Sequence, residues 1–453
     1  MDRMWVLERA HGKREAMSRD RKLRESAPVE VTLTGMAHRG PAVGRIDGQV
    51  VFAFYGIPGE RVQVQLERRR KKFLHARVVE VLEASPDRTD PLCQYYGACG
   101  GCQWQHIDYA AQVRLKKQTV TEHFARIGKQ TVAIDTVHTP SSPWEYRYGC
   151  EIALSREAGF RQRGSRRVVE IEHCAISHPL ISRLLAALNE MIRDGRIPDL
   201  WGRNWVETRI IPRGGSAKLA LILEGVRNVD LEAEPELRTV LDALTTISEA
   251  VSVSYRTPSG QVEPFAGAAM VGIELMGKTI QFPPGAFFQA SVEMLPLAIS
   301  RMRELAAIQS HETVLDLYCG VGVFGLFMAE DAGHVIGIEV DKQAIVAARQ
   351  TAAEWGLRNI EFWDLPAEKV TEELPQVDVA VVDPPRTGMD PRVLRAVAGS
   401  APSRIVYLSC EPSTLARDAA LLHEEGYRVE RLELFDFFPQ TYHIENLALF
   451  RRS

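Results

Sequence analysis

Three groups of residues in this chain have types and spacings that could do chemistry. The first is a cysteine set. Cys93-x5-Cys99-Gly-Gly-Cys102 places three thiols on one glycine-softened loop. Thiolates this close suit a single metal centre, which needs a fourth ligand. Cys174, in EIEHCAI, is the best candidate, with Cys150 as its rival. Zinc sites usually pair their ligands as two C-x2–4-C units. Three clustered thiolates with one distant suit an iron–sulfur cluster better. Four thiolates would leave no iron open to substrate, which argues for a structural centre and against radical chemistry. The second group is a thiol with a base. Cys410, in YLSCEP, ends an apolar run, and Pro412 lets a helix start behind it. The start of that helix is expected to bias the thiol toward thiolate, the form that attacks carbon. His443 and Glu445 stand just before the last apolar run, and each is a candidate proton acceptor. Cys319 lies inside a glycine loop and reads instead as a small buried hydrophobe.

The third group reads as a cofactor edge. Asp316-Leu317-Tyr318-Cys319-Gly320-Val321-Gly322 closes one apolar run and opens another. Glu339 ends the next run, where a carboxylate can hold two ribose hydroxyls. Asp383-Pro384-Pro385-Arg386 ends a later one, and its prolines fix a rigid turn. A dinucleotide fingerprint would need a third glycine, but Phe324 stands there. Without a pyrophosphate pattern, S-adenosylmethionine fits better than a nicotinamide or flavin nucleotide.

These residues need elements to position them. From about residue 313, TVLDLY, HVIGIEV, NIEFW, DVAVVDPP and RIVYLSC alternate with helical stretches. Such alternation predicts a doubly wound parallel sheet, whose ligands bind beyond the carboxyl ends of the strands. Each motif of the second and third groups falls near such an end. Residues 29–83 read differently, as about five short strands with the hairpin signal Asp47-Gly48, which predicts a small OB-type β-barrel. SPDRTDP (residues 85–91) is a linker by composition. Residues 91–286 mix strands and helices, and EIALSREAGFRQRGSRRVVEI contains two strand-like runs around a loop. Residues 1–28 read as a mobile charged tail.

The 453 residues are too many for one ordinary core, and their 45% hydrophobic and 25% charged content is that of a globular chain. No apolar run approaches the ~18 residues of a membrane span. The charged N-terminus is no secretory signal, so the cysteines are expected as thiols in a reducing cytoplasm. The net charge of −4 hides an asymmetry. Residues 1–130 hold 23 Lys and Arg against 15 Asp and Glu, and the remainder holds 32 against 44. Arg68–Lys72 forms one dense basic run, and Arg161, Arg163, Arg166 and Arg167 form a second patch. Phosphate contact is their expected use.

Taken together, these residues resemble the RNA (uracil-5-)-methyltransferase family, in its iron–sulfur 23S rRNA branch. The resemblance covers nearly the whole chain after residue 28. VEVTLTGMAHRGPAVGRIDGQVVFAFYGIPGE is similar to the TRAM domain, an OB-like RNA-binding barrel. PPGAFFQ, DLYCGVG, DPPRTG, YLSCEPSTLARD and FPQTYHIE follow in the family's order. The resemblance implies that Gln289, Tyr318, Glu339 and Asp383 contact S-adenosylmethionine. It implies that Cys410 is the nucleophile, Glu445 the base, and Cys93, Cys99, Cys102 and Cys174 the ligands of a [4Fe-4S] cluster. The fold expected is multidomain: a charged tail (1–28), a TRAM barrel (29–90), a central α+β domain carrying the cluster (91–286) and an α/β Rossmann-like methyltransferase domain (287–453). The activity implied is 5-methyluridine formation in 23S rRNA by a cytoplasmic, monomeric enzyme with no membrane partner. The T-loop uridine of tRNA is the alternative substrate, and a non-catalytic RNA-binding assembly factor the alternative role. The chain departs from the family's usual residues at Val323, Glu411, Tyr148 and Pro366.

Overall fold

The computed structural model describes residues 23–452, apart from positions 202, 214, 215, 227, 290 and 373. Residues 1–22 of the expected tail lie outside the described residues. The chain divides into two compact units. One takes the described residues up to Gly97 with Cys102–Thr119 and Gln440–Tyr442, and the other takes Ala98–Gly101, Val120–Pro439 and the chain from His443.

In the first unit the period-two pattern of residues 29–83 becomes five strands. They are β1 (Val29–Met36), β2 (Ala42–Ile46), β3 (Gln49–Phe54), β4 (Arg61–Arg69) and β5 (Phe73–Glu83). They close into a barrel in the order β1-β2-β3-β5-β4, with β1 pairing β4. Alternate residues such as Val31, Leu33, Val51, Val62, Val64 and Leu74 fill it. Ile46 pairs with Gln49, so Asp47-Gly48 is the two-residue turn that its type demands. A second cluster in this unit packs Ile57 with Trp104, Ile107 and Ala111. Helix α1 (Tyr109–His123) follows.

The second unit holds two large sheets. After β6 (Thr136–His138), the chain forms β7 (Gly149–Leu154), β8 (Ala158–Arg161), β9 (Val168–Glu170), α2 (Pro179–Arg193), β10 (Asn204–Arg213), β11 (Ser216–Gly225), α3 (Glu236–Thr245), β12 (Ala250–Arg256) and β13 (Val262–Gly267). Their sheet has the order β13-β12-β11-β10-β7-β8-β9. The segment expected to hold two strand-like runs makes three strands. Ser155–Glu157 forms a tight turn, and Gly159 lets β8 lie against β9, where a Cβ would meet the Val169 carbonyl at 1.9 Å. A small hairpin follows, β14 (Val271–Leu275) and β15 (Lys278–Phe282).

The remaining elements are α4 (Leu295–Ala306), β16 (Thr313–Leu317), α5 (Val323–Met328), β17 (His334–Glu339), α6 (Lys342–Glu354), β18 (Ile360–Asp364), β19 (Val379–Val382), α7 (Pro391–Gly399), β20 (Arg404–Ser409), α8 (Pro412–Glu424), β21 (Tyr427–Phe435) and β22 (Glu445–Arg452). Their sheet runs β18-β17-β16-β19-β20-β22-β21-β6. The first five strands are parallel. β22 lies antiparallel between β20 and β21, and β6 joins the edge parallel to β21. Every residue of β19 and β20 is buried, as a parallel sheet covered on both faces requires. The strand order reverses between β16 and β19, and a crevice at their carboxyl ends is the binding place this topology dictates. No helix among the described residues is long and apolar enough to cross a membrane.

Candidate active site

The reversal between β16 and β19 brings the expected cofactor residues to one edge. Asp316 is buried near the end of β16, and its Oδ2 accepts the Gly325 N–H at 2.7 Å. Its Oδ1 is buried with no partner. Burial pushes the carboxyl up to about 7, against the Gly325 N–H, and the charge of Glu339 adds to the rise. Beyond the strand, Tyr318 has φ 64° and Gly322 has φ 79° at the cap of α5. A Cβ at Gly322 would press on Phe362 and Ala348, so the tight turn needs glycine on two counts. Glu339, at the end of β17, accepts N–H groups from Gly320 at 3.1 Å, Val340 at 2.7 Å and Asp341 at 2.9 Å. It therefore also staples the glycine loop to the neighbouring strand. Phe324, where the third glycine was missing, is buried in the core behind the loop.

Asp383 follows β19, and the Gln289 amide donates to its Oδ2 at 3.5 Å. Burial pushes this carboxyl up to about 7, and repulsion from Asp316 contributes. Two repelling acids, the buried Asp316 with an orphaned oxygen and the partly exposed Asp383, fit a cationic ligand such as the sulfonium and ammonium of S-adenosylmethionine. The turn after Asp383 is held by Asp418, fully buried on α8, which accepts the Met389 N–H at 2.9 Å and the Tyr407 hydroxyl at 2.7 Å.

Cys410 and Glu445 come to the same end of the sheet. β20 and β22 pair antiparallel, and their last rung sets Ser409 opposite Asn446. Cys410 follows β20 directly and Glu445 begins β22, so each stands next to that rung. Glu445 is 3% exposed, and Cys410 is half-buried. Burial pushes the Glu445 carboxyl up to about 8, the charge of Asp383 adds to this, and Arg386 pulls it back. The expected bias of Cys410 toward thiolate is corrected here. Burial pushes the thiol up to about 12, Glu445, Asp383 and Glu411 raise it, and only Arg386 among these neighbours lowers it. The physical reason is local. The start of α8 is already capped by the Glu411 carboxylate, which accepts from the Ser413 N–H and hydroxyl, so negative charge already sits where the helix would favour the thiolate. His443 lies edge-on to Phe438 at 5.7 Å.

Residues 23–79 match the TRAM domain, and residues 108–453 match the tRNA (uracil-5-)-methyltransferase family. The chain belongs to this family. It is accordingly an RNA uracil-C5 methyltransferase that uses S-adenosylmethionine. It is 32% identical to the 23S rRNA (uracil(1939)-C(5))-methyltransferases of Shewanella amazonensis and Alkalilimnicola ehrlichii, matching 94% and 96% of this chain and 96% and 99% of theirs. An uncharacterized RNA methyltransferase of Caldanaerobacter subterraneus is 33% identical over 95% of this chain and 99% of its own. Among solved structures, the fold is similar to that of the Pyrococcus abyssi tRNA (uracil-54, C5)-methyltransferase in complex with S-adenosyl-L-homocysteine. The TM-score is 0.72 at 23% identity, over 93% of this chain and 100% of that one.

The cysteines expected at the family's cluster, Cys93, Cys99, Cys102 and Cys174, are half-buried, and the rival Cys150 is buried. The Gly101 N–H donates to Cys99 Sγ at 3.4 Å, and the Ser177 hydroxyl donates to Cys174 Sγ at 3.2 Å. Cys93 and Cys102 belong to the first unit, Cys99 and Cys174 to the second. Among the described residues, no group of three or more His, Cys, Asp or Glu side chains is arranged to hold a metal ion.

Reading the sequence missed two members of this family member's site. The charge of Arg386 lowers both Cys410 and Glu445; its signal was present as the last residue of Asp383-Pro384-Pro385-Arg386. Asp316 was read only as the start of the glycine loop, and nothing in the sequence marks its buried, half-partnered carboxyl.

Proposed function

We propose that this enzyme methylates carbon 5 of a uridine in 23S rRNA through a covalent adduct on Cys410. The observation that carries this reading is that Cys410 and the buried Glu445 flank the last Ser409–Asn446 rung between β20 and β22, close enough for the Glu445 charge to raise the thiol and for Asp383 to raise both. Carbon 5 of uracil is a poor nucleophile. Addition of the Cys410 thiolate to carbon 6 converts the ring to an enolate with electron density on carbon 5. S-adenosylmethionine, when bound, supplies the methyl group from its sulfonium, and Gln289, Tyr318, Glu339 and Asp383 would hold it. Glu445 then takes the proton from carbon 5. That electron pair re-forms the 5,6 double bond and expels Cys410 as thiolate. Glu445 must be ionised to accept this proton, and a carboxylate whose carboxyl lies near 8 is then a stronger base than an ordinary one. Arg386 is the cation that favours the expelled thiolate. The target base must leave its stack to reach the site.

Arg68–Lys72 and Arg161–Arg167 would grip phosphates. Cys93, Cys99, Cys102 and Cys174 would ligate a [4Fe-4S] cluster, a reading supported by their spacing and by the donors directed at two of the sulfurs. The sequence boundaries 29–90, 91–286 and 287–453 serve as functional divisions, and the enzyme works as a cytoplasmic monomer.

The test is a trapped adduct. Cys410→Ala should bind RNA and cofactor and transfer no methyl group. Glu445→Gln should methylate once and stall as a denaturant-resistant protein–RNA band, while Cys319→Ala turns over. An adduct on Cys319, or one formed by Cys410→Ala, refutes the nucleophile assignment. Normal turnover by Glu445→Gln makes His443 or water the base. Nucleoside mass spectrometry of rRNA and tRNA from a strain lacking the gene decides between 23S rRNA and tRNA. A cofactor-binding protein with neither change would be the assembly factor.

A further inference from the structure

The outer face of the barrel carries an aromatic cluster that the chemistry above does not use. β3 and β5 run parallel, with Val50 beside Phe73, Phe52 beside His75 and Phe54 beside Arg77. Alternation sends Val51, Ala53, Leu74 and Ala76 into the barrel core. It sends Phe52, Phe54, Phe73 and His75 to the other face, where each stays partly exposed. The four rings are one group. Phe52 meets Phe73 at 5.3 Å and His75 at 5.8 Å, Phe73 meets His75 at 5.2 Å and 90°, and Phe54 stacks on His75 at 6.1 Å and 21°.

Charge surrounds these rings. Arg68 on β4 pairs with His75 on β5. From there Arg68, Arg69, Arg70, Lys71 and Lys72 are five consecutive exposed cations around the hairpin that ends at Phe73. Arg77, half exposed, follows two residues after His75. A ligand that suits both features must offer flat π-faces and a string of negative charges at once. A paired helix hides its base faces, so only unpaired nucleic acid does both. Outer strand faces and hairpin loops are also where small barrels of this type take oligonucleotides.

We propose that this face binds an unpaired stretch of the RNA substrate, with bases stacked on the Phe52–Phe54–Phe73–His75 platform and phosphates on Arg68–Lys72. The proposal deepens the RNA-binding reading by naming the rings, the strand state of the RNA and the division of labour between rings and cations.

The experiment uses the full chain and two labelled probes of one sequence, an unpaired RNA of about 12 nucleotides and its duplex, which is within the span such barrels cover. Phe54→Leu with Phe73→Leu keeps apolar bulk and removes two π-faces. It should weaken the unpaired probe roughly tenfold, the scale of one lost base stack. The salt slope should not change, because stacking releases no counterions. Duplex affinity should stay at the wild-type value. Neutralising Arg69, Arg70 and Lys71 should instead weaken both probes and flatten the salt slope by about one unit per lost contact. Photocrosslinks from 5-bromouridine in the unpaired probe should map between residues 52 and 77. The proposal is overturned if the leucine pair leaves both affinities unchanged, if it weakens both equally, or if the crosslinks avoid the barrel. Failure of the RNA reading itself would look different, since the wild-type chain would then hold neither probe.

Discussion

Replacing Glu445 by glutamine should remove one pH dependence of stability. The folded carboxyl lies at about 8, against an ordinary 4.5. Below about 4.5 both folded and unfolded chains carry the proton, and the site costs nothing. Between those values the unfolded chain releases a proton that the folded chain keeps, so stability falls as pH rises and the loss is complete above about 8. At about 1.4 kcal/mol per pH unit, the full interval sets a ceiling of about 5 kcal/mol. Part of the rise comes from the charge of Asp383, which is itself pushed up by burial and by Asp316, and buried sites respond with an effective dielectric nearer 20, so roughly 2 kcal/mol should survive. Glutamine keeps the shape and cannot ionise. The melting temperature of Glu445→Gln minus that of the wild type should therefore grow by about 4 °C between pH 5 and pH 9, at about 2 °C per kcal/mol for a large unit. Melting scans at constant ionic strength measure it. A difference that stays flat with pH, or that shrinks as pH rises, would refute burial and like charge as the cause of the raised carboxyl.

Three further outcomes follow from the same geometry. Alkylation of Cys410 by iodoacetamide should be slow at pH 7 and climb about tenfold per pH unit through pH 9, because the thiol lies near 12; Glu445→Gln should speed it and Arg386→Gln should slow it, as read by intact mass. Asp418→Asn should cost about 2 kcal/mol in urea melts and lower cofactor affinity, since it loosens the turn that carries Asp383. Anaerobically purified protein should be brown with about four irons per chain; Cys174→Ser should lose iron and Cys150→Ser should keep it, and one zinc per chain without visible absorption would refute the cluster.

Much of this architecture could be read before any coordinate was known, for reasons that differ by element. The parallel strands were legible because burial on both faces leaves uninterrupted apolar runs, as in Val379–Val382. The barrel was legible because one buried face leaves strict alternation, as in β4. The three-residue β6 was not, since its membership of the sheet depends on pairing with Glu433–Phe435, almost three hundred residues away. That Cys410 and Glu445 come to one end of the sheet was legible because each adjoins an apolar run. The proton affinities did not follow, because they arise from burial and from the charges of Asp383 and Arg386 on one chain segment and Glu411 on another. Glu411 illustrates the point. In sequence it is a departure from the family, and in the fold it is the residue that caps α8 behind the thiol.

The antiparallel insertion of β22 beside β20 has a consequence for how this enzyme tolerates change. Cys410 and Glu445 stand next to the last rung of a ladder, so the register of β20 against β22 sets their placement. A single-residue insertion within Leu447–Phe450 that kept those residues in place would have to push Asn446 and Glu445 one step along, and alternation would then turn the carboxyl to the opposite face of the sheet. Length variation should accordingly be concentrated before His443, and the stretch from Ile444 to the end of β22 should accept exchanges of residue far more readily than changes of frame.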